Sequence, residues 1–416
     1  MADGGTDLED PRAVAAAWSR VVEPADAAAG HLVRVLGAAD ALAWLLDAVP
    51  GPEVAERAIR RLHTERPDLP DALAPARLLR AVSRWAPRTR GLDPRRELRA
   101  LDLLGGTLVL PGDPGWPRAL DDLGAAGPHC LWVRGDPGLA ALAARSVAVV
   151  GARACTEYGR HVAAELAHGL AGRGLTVVSG GAYGIDAAAH RAALAAGGPT
   201  VAFLAGGVDR LYPAGNADLL RAVIDAGGAV VSEVPPGSVP SRVRFLLRNR
   251  LIAAASRATV VVEAAWRSGA LSTATRAAEL LRPVGAVPGP VTSMASGGCH
   301  RLLRDGMAVC VTDADEMAEL ALPAGEGGAA DEAGARRGGD RTGGGRPDGE
   351  DLDDLDGVGR RLFDALPVRR AADVTSIARA AGLALDETRG GLGLLELAGF
   401  AVQEAGAWRR VPRPAR

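Results

Sequence analysis

The stretch Ser146-Val147-Ala148-Val149-Val150-Gly151-Ala152-Arg153 is a short run of small and β-branched apolar residues that ends at a glycine. Such a run, followed at once by a turn residue, predicts a fully buried strand. Six similar runs follow it, with helical stretches between them. They are Leu175–Val178, Thr200–Leu204, Ala229–Val231, Thr259–Val262, Val284–Val287 and Ala308–Val311. Seven buried strands joined by helices predict an α/β fold with a Rossmann-like, doubly wound parallel sheet.

The sequence changes character on both sides of this sheet. Apolar residues at three- and four-residue spacing predict a small all-α domain over residues 1–95. Residues 96–322 are predicted to form a Rossmann-like domain, in which a segment of strand and turn character precedes the parallel sheet. Residues 323–350 are rich in Gly, Ala, Asp, Glu and Arg, which predicts a flexible linker. Residues 351–416 have the helix, turn, helix and strand order of a winged-helix domain.

The charge composition restricts how the chain could attract a polyanion. The 48 basic side chains are balanced by 50 acidic ones, for a formal net charge of -2. The whole molecule therefore exerts no long-range attraction, and a nucleic-acid site must be a local patch. Every basic residue other than histidine is arginine, whose planar guanidinium suits bidentate phosphate contacts.

Several classes of protein are disfavoured by what the sequence lacks. The four cysteines form no CxxC pair and have no regular spacing, so we expect neither a metal site nor a disulfide framework. The amino terminus has no signal-peptide pattern, and no apolar run approaches membrane-spanning length. We therefore expect a cytoplasmic protein with no membrane association.

Two glycine-containing loops follow the first two predicted strands. In an open parallel sheet such loops meet at the edge where ligands bind, beside helix amino termini with free N–H groups. The first loop contributes Gly151 and Arg153. The second contributes Ser179, Gly180, Gly181 and Gly184, which could bring backbone and hydroxyl donors close to a phosphate. The alternative is that these glycines only tighten strand-to-helix turns.

Signals for cofactors and catalysis are weak. Neither loop is GxGxxG, and neither carries the Walker GKS or GKT, so we expect no cofactor. No GxSxG, HExxH or paired-carboxylate motif accompanies His190 or His300. We therefore predict no catalytic residue, and we interpret Asp186 as a helix cap and the histidines as structural.

A basic segment between the fourth and fifth strands is the third candidate element. Five arginines fall within residues 242–257 with no acidic residue between them, and Phe245 and Asn249 are interleaved. If a helix begins at Phe245, Arg244 and Arg248 lie one turn apart and could face one phosphate backbone. A solvated helix face is the alternative. The missing acidic partners favour anion contact, with Asn249 and Arg250 as further candidates.

A fourth loop, over residues 263–273, again places Ser, Gly and Thr before a helix. Ser268 and Gly269 are candidate phosphate ligands there. Capping is the simpler interpretation for Ser272 and Thr273.

Taken in order, the short motifs of the central domain resemble the DNA-processing protein A family (DprA, also called Smf). The resemblance implies a protein that binds single-stranded DNA, protects incoming strands in natural transformation, loads RecA recombinase on them and forms a homodimer through the Rossmann-like domain. It also implies a sterile-alpha-motif-like or helix-hairpin-helix-like domain before the sheet. The motifs are VVGAR (149–153), YG (158–159), SGGAYGID (179–186), AH (189–190), LYP (211–213), SE (232–233), RNRLI (248–252), EA (263–264), SGA (268–270) and VPG (287–289).

The resemblance also assigns individual residues. Arg153 falls on the family's loop arginine, and Arg248 and Arg250 fall on its RNR motif. Many members have a basic residue where this chain has Tyr183. A tyrosine can stack on an unpaired base but cannot neutralise a phosphate, so we predict a stacking role for Tyr183.

Two other functions are compatible with the sequence. One is a nucleotide-processing enzyme like the LOG-like phosphoribohydrolases, although the PGGxGTxxE motif that carries their catalytic glutamate is absent. The other is an assembly platform on which the predicted winged helix contacts DNA.

Overall fold

The computed structural model describes residues 8–322, 357–367, 371–397, 400–404 and 406–411. These residues fall into two compact units, one within 1–337 and the other within 338–416. The predicted linker over 323–350 lies outside the described residues.

The first unit is built on a nine-stranded sheet that contains all seven strands predicted from the sequence. The strands are β1 (Gly106–Val109), β2 (Leu131–Gly135), β3 (Ser146–Val150), β4 (Thr176–Ser179), β5 (Thr200–Phe203), β6 (Ala229–Ser232), β7 (Ala258–Val261), β8 (Val284–Ala286) and β9 (Val309–Cys310). Their spatial order is β1-β2-β6-β5-β4-β3-β7-β8-β9. Strands β3 to β9 are parallel, as predicted.

The lead-in segment extends this sheet, which therefore is mixed. Strand β2 pairs antiparallel with β6, placing Trp132 opposite Ser232, and β1 pairs antiparallel with β2. The segment was predicted only to precede the sheet. Its two strands instead cover the β6 edge, which would otherwise expose unpaired backbone groups.

Helices cover both faces of the sheet. The helices of the first unit are α1 (Pro11–Val21), α2 (Ala27–Leu36), α3 (Ala38–Ala48), α4 (Pro52–Glu65), α5 (Pro75–Thr89), α6 (Pro94–Asp102), α7 (Leu139–Ala144), α8 (Glu157–Gly172), α9 (Ile185–Ala195), α10 (Ala217–Asp225), α11 (Arg242–Ala255), α12 (Ala270–Glu279), α13 (Gly297–Arg304) and α14 (Ala314–Ala321). Because side chains alternate along a strand, Val147 and Val149 pack with α8 and α9, whereas Ala148 and Val150 pack with α11 and α12.

Helices α1 to α5 form their own apolar cluster, in which the rings of Trp18 and Trp85 meet edge to face at 6.0 Å. Asp10 and Asp26 cap the first two helices with their side chains. This all-helical segment lies in the same compact unit as the sheet. Its sterile-alpha-motif-like or helix-hairpin-helix-like character stays a prediction.

In the second unit, the described residues form three helices followed by a two-stranded antiparallel sheet. They are α15 (Gly357–Ala365), α16 (Val374–Ala381), α17 (Leu385–Leu397), β10 (Ala401–Glu404) and β11 (Ala407–Arg410). Gly391 lies inside α17, where a Cβ atom would be 2.2 Å from Cδ1 of Leu362. This glycine allows α17 and α15 to pack closely. The winged-helix assignment stays a prediction.

Candidate functional site

A cleft of about 1020 Å³ opens beyond the carboxyl ends of β3 and β7. These strands are neighbours, and the strand order reverses between them. This is the switch point at which open α/β sheets bind ligands. Residues of three segments line the cleft, 150–154, 240–249 and 265–273.

Three exposed arginines line this cleft: Arg153 after β3, Arg242 at the start of α11 and Arg267 after β7. The guanidinium groups of these three residues form no hydrogen bond or ion pair within the described residues. The acidic residue in the lining is Asp186, which is buried. The accessible charge of the cleft is therefore positive, and its guanidinium groups are available to an anion.

Two aromatic rings stand beside these arginines. The guanidinium carbon of Arg153 lies 4.4 Å from the centroid of the Phe245 ring. The rings of Phe245 and Tyr212 have their centroids 6.0 Å apart, and Tyr212 is 48% exposed. The cleft thus combines cationic groups with two aromatic rings, of which Tyr212 is half exposed and Phe245 is partly buried beside Arg153 and Arg248.

The glycine loop after β4 does not present a free N–H cradle. The backbone N–H groups of Gly180 and Ala182 donate to Oδ2 of Asp186, at 3.1 and 3.3 Å. Burial raises the pKa of Asp186, and Arg248 opposes that shift. The internal carboxylate occupies the position predicted for a phosphate, so the cradle prediction is corrected. Asp186 reaches back to this loop instead of capping its own helix.

The remaining residues of this loop hold it in place. Ser179 is buried and its hydroxyl donates to the Val149 carbonyl at 2.7 Å, so it is not exposed to a phosphate. The carbonyl of Gly181 accepts a hydrogen bond from Nδ2 of Asn216 at 3.0 Å. The hydroxyl of Tyr183 accepts one from the Gly215 N–H at 3.3 Å.

The glycines at the strand ends permit close approach of the two loops. Gly184 has φ +79°, and a Cβ atom there would lie 2.2 Å from the Ala152 carbonyl oxygen. A Cβ atom on Gly151 would lie 2.5 Å from Cγ1 of Ile185. These contacts support the alternative in which the glycines tighten turns.

Arg248 also lines the cleft, but only 4% of its surface is exposed. Its Nη1 donates to the carbonyl of Gly180 at 2.8 Å and also to that of Phe203. Desolvation lowers its pKa to about 10, against the opposing effect of Asp186. Arg248 therefore joins α11 to the ends of β4 and β5, and its guanidinium is committed to the protein.

The other two arginines predicted on this helix are also paired. Arg250 makes a buried bidentate ion pair with Glu233, and Arg244 donates from Nε and Nη2 to the carboxylate of Glu23 at 2.9 Å each. The helix begins at Arg242 with Ser241 as its cap, three residues before the predicted start. Arg244 and Arg248 therefore do not share one groove, and these arginines are corrected to structural roles.

The loop after β7 is joined to α11 by side-chain hydrogen bonds. Nδ2 of Asn249 donates to the Gly269 carbonyl at 3.1 Å, so Asn249 positions the loop. Oγ of Ser268 accepts from the Ala270 N–H at 3.3 Å, which is a capping contact. Asn249, Ser268, Gly269 and Ala270 all line the cleft.

The cleft is lined by six residues predicted from the sequence, Gly151, Arg153, Arg248, Asn249, Ser268 and Gly269, and their part in binding stays a prediction. The sequence candidates did not include Arg242, Arg267, Tyr212 and Phe245, which also line it. Arg267 carried a usable signal, because it follows a buried strand at the carboxyl edge of the sheet. Tyr183, predicted to stack a base, lies outside the lining of the cleft.

Neither a metal site nor a membrane span is found in the described part of the chain. Its His, Cys, Asp and Glu side chains form no group of three or more suited to a metal ion. No single described helix is long and apolar enough to cross a membrane, and only α2 and α3 together, bent by 115°, meet that length and composition.

The fold and the cleft define a Rossmann-like protein with a cationic ligand site at its switch point. The family model for DNA recombination-mediator protein A matches residues 107–321. A protein of Mycobacterium tuberculosis assigned as DNA processing protein DprA is 44% identical over 411 residues, covering 96% of this chain and 95% of that protein. The chain belongs to the DprA/Smf family of DNA-processing proteins, as the resemblance implied.

One solved structure supports this assignment, and a second is reported beside it. DprA of Streptococcus pneumoniae superimposes with a TM-score of 0.53 at 32% identity, covering 67% of this chain and 96% of that one. The DNA processing protein A of Helicobacter pylori, solved to show its single-stranded DNA binding mode, gives a TM-score of 0.46 at 29% identity and covers 51% and 94%.

Proposed function

We propose that the switch-point cleft binds single-stranded DNA without sequence preference. The observation that carries this proposal is the set of three exposed, unpaired arginines, Arg153, Arg242 and Arg267, around an aromatic pair. Guanidinium groups contact phosphates of any sequence, and each phosphate contact contributes through counterion release. The DNA-processing character of the family supports this choice of polyanion.

The aromatic pair is the reason for preferring a single strand to a duplex. Phe245 and Tyr212 offer ring surfaces inside the cleft. Bases in a duplex are stacked on one another and present only their edges, whereas unpaired bases can stack on protein rings. A duplex would satisfy the arginines but leave both rings unused.

The test is a competition between single- and double-stranded DNA over a range of salt concentrations, with the full chain and the variant Arg153→Ala/Arg242→Ala/Arg267→Ala. For single strands, each lost phosphate contact lowers the slope of log K against log salt by about 0.7, so we expect a reduction of about 2. An unchanged slope would overturn the proposal.

The matched control removes the same charge elsewhere. Arg57, Arg80 and Arg90 are exposed on or beside the helices of the first 102 residues. Replacing these three with alanine changes the net charge equally. We expect the control to retain the slope of the unsubstituted protein, because its arginines are not in the cleft.

We further propose that the bound strand is transferred to RecA during natural transformation or other DNA processing, and that the protein acts without catalysis as a cytoplasmic homodimer. The family description as a recombination mediator supports this role. RecA filament assembly on DNA coated with single-strand-binding protein tests the transfer, and light scattering tests the dimer. Release of a free base from nucleoside monophosphates would instead support the phosphoribohydrolase alternative.

The second unit offers the competing location for the DNA contact. Removing residues 338–416 and repeating the competition separates the two locations. We expect the single-strand preference to persist, because the arginines and rings of the cleft all lie in the first unit.

A further inference from the structure

A second aromatic and cationic cluster lies beside the cleft and is not used by the proposed function. Its centre is Trp266, whose side chain is 54% exposed in the loop after β7. All seven tryptophans lie in the described residues, and Trp266 is the one among them in the exposed class. An exposed indole offers an apolar, π-rich face on which a planar group can stack.

Two guanidinium groups from α13 stand over this indole. The guanidinium carbons of Arg301 and Arg304 lie 5.4 and 5.8 Å from the ring centroid of Trp266. Arg304 also lies 3.6 Å from Oδ1 of Asp305, a pair exposed to solvent and therefore weak. The guanidinium of Arg301 has no hydrogen bond or ion pair in the described part of the chain. The cluster therefore keeps cationic groups available for an anion.

The cluster is continuous with the cleft along the backbone. Ala265 and Arg267, the residues on either side of Trp266, both line the cleft. The first residue of α13, Gly297, packs against the edge of the indole, with its Cβ position 3.8 Å from Cε3. The indole therefore contacts α13, and the next residue in the chain, Arg267, lies in the cleft.

We infer that Trp266, Arg301 and Arg304 form a second station for single-stranded DNA, in which an unpaired base stacks on the indole and the arginines contact the neighbouring phosphates. A polyanion with planar bases fits a ring flanked by guanidinium groups, because it satisfies both kinds of surface at once. This inference rests on the proposed function, since it extends the strand path out of the cleft.

Short and long DNA strands can distinguish binding in the cleft from binding at the second station. Binding of oligothymidylates from about 4 to about 16 nucleotides is measured for the unsubstituted protein and for Trp266→Ala. We expect equal affinity for the shortest strands that bind, and at least about fivefold weaker binding of the longest ones by the variant. Equal affinity at every length would overturn the second station and leave the cleft intact. Failure of all lengths to bind the unsubstituted protein would instead refute the proposed function.

Fluorescence reports the stacking directly. We expect long strands to quench tryptophan emission, and Trp266→Phe to abolish the quenching while keeping most of the affinity, because phenylalanine still stacks. Trp44→Phe, on α3, is the matched control and should leave the quenching in place. Quenching that survives in Trp266→Phe would contradict the inference.

The competing interpretation is that the cluster contacts another protein chain, since Trp and Arg are common at protein interfaces. Light scattering of Trp266→Ala and of Arg301→Ala/Arg304→Ala settles this. We expect an unchanged oligomeric state and, for the double variant, a salt slope on long strands lower by about 1.4. A change of oligomeric state with an unchanged salt slope would assign the cluster to contact between copies of the chain.

Discussion

Arg250 and Glu233 form a bidentate ion pair inside the protein, with Nη1–Oε1 at 3.0 Å and Nη2–Oε2 at 2.6 Å. Both side chains are less than one-tenth exposed. The pair joins the middle of α11 to the end of β6. Burial raises the pKa of Glu233, and the guanidinium of Arg250 counteracts that shift. Each charge is therefore tolerated only because the other is present.

Arg250→Ala should destabilise the protein by about 3–5 kcal/mol, because it leaves the Glu233 carboxylate buried and unpaired. The double substitution Arg250→Met/Glu233→Leu should lower the free energy of unfolding by less, since it removes both charges and keeps apolar volume. Urea unfolding of the three proteins measures the difference. Equal losses in the single and double variants would contradict a paired role.

Gly180→Ala should also destabilise the fold. Its Cβ atom would lie 2.3 Å from Nη1 of Arg248, so the guanidinium would have to leave the carbonyl oxygens that it holds. The expected loss is about 1–3 kcal/mol, the cost of leaving buried polar groups unsatisfied. Gly269→Ala is the control, because nothing lies within 4 Å of its Cβ position. Similar urea midpoints for the two variants would show that Arg248 is free to move.

The outcome for α11 shows what one sequence can and cannot reveal. The segment was correctly predicted to be helical. Its arginines were predicted to contact an anion because no acidic residue lies among them, yet Glu23 and Glu233 reach them from distant positions in the sequence. Local spacing contains no information about such partners. The strands, in contrast, were predictable because a buried parallel strand leaves a continuous apolar run.

The same reasoning explains the corrected phosphate cradle. Glycines after β4 do mark a place where the chain turns tightly. The sequence could not show that Asp186, six residues after Gly180, folds back onto that loop. Whether a loop N–H is free depends on side-chain direction, which is fixed only by packing.

A pH-dependent contribution to stability is expected from Glu97 on α6. Burial raises its pKa to about 7, although Arg20 stands 3.2 Å from Oε1 and opposes the shift. Its Oε2 is buried without a hydrogen-bond partner among the described residues. The folded state therefore holds a proton that the unfolded state releases near pH 4.5. The contribution of Glu97 to stability is therefore fully present below that value and is lost as the pH rises through about 7.

Glu97→Gln should remove this dependence. The difference in free energy of unfolding between the variant and the unsubstituted protein should shift in favour of the variant by about 1–3 kcal/mol from pH 5 to pH 8. The reason is that glutamine is neutral at both pH values and needs no proton to be buried. Urea unfolding at the two pH values measures the gain, with the exposed Glu319→Gln as control. A gain that is the same at both pH values would show that Glu97 does not titrate in this range.

The aromatic contribution of the cleft can be separated from its charge by changing the protein and the DNA together. Phe245→Leu keeps apolar volume but removes the ring that faces Arg153 and Tyr212. We expect weaker binding of oligothymidylate by about 1–3 kcal/mol, with an unchanged salt slope, because no phosphate contact is lost. On an abasic strand of the same length the two proteins should bind equally, since no base remains to stack.

Tyr183→Leu should behave like the unsubstituted protein on both strands, because Tyr183 lies outside the lining of the cleft. An equal loss for Phe245→Leu on both strands would mean that the ring only positions Arg153.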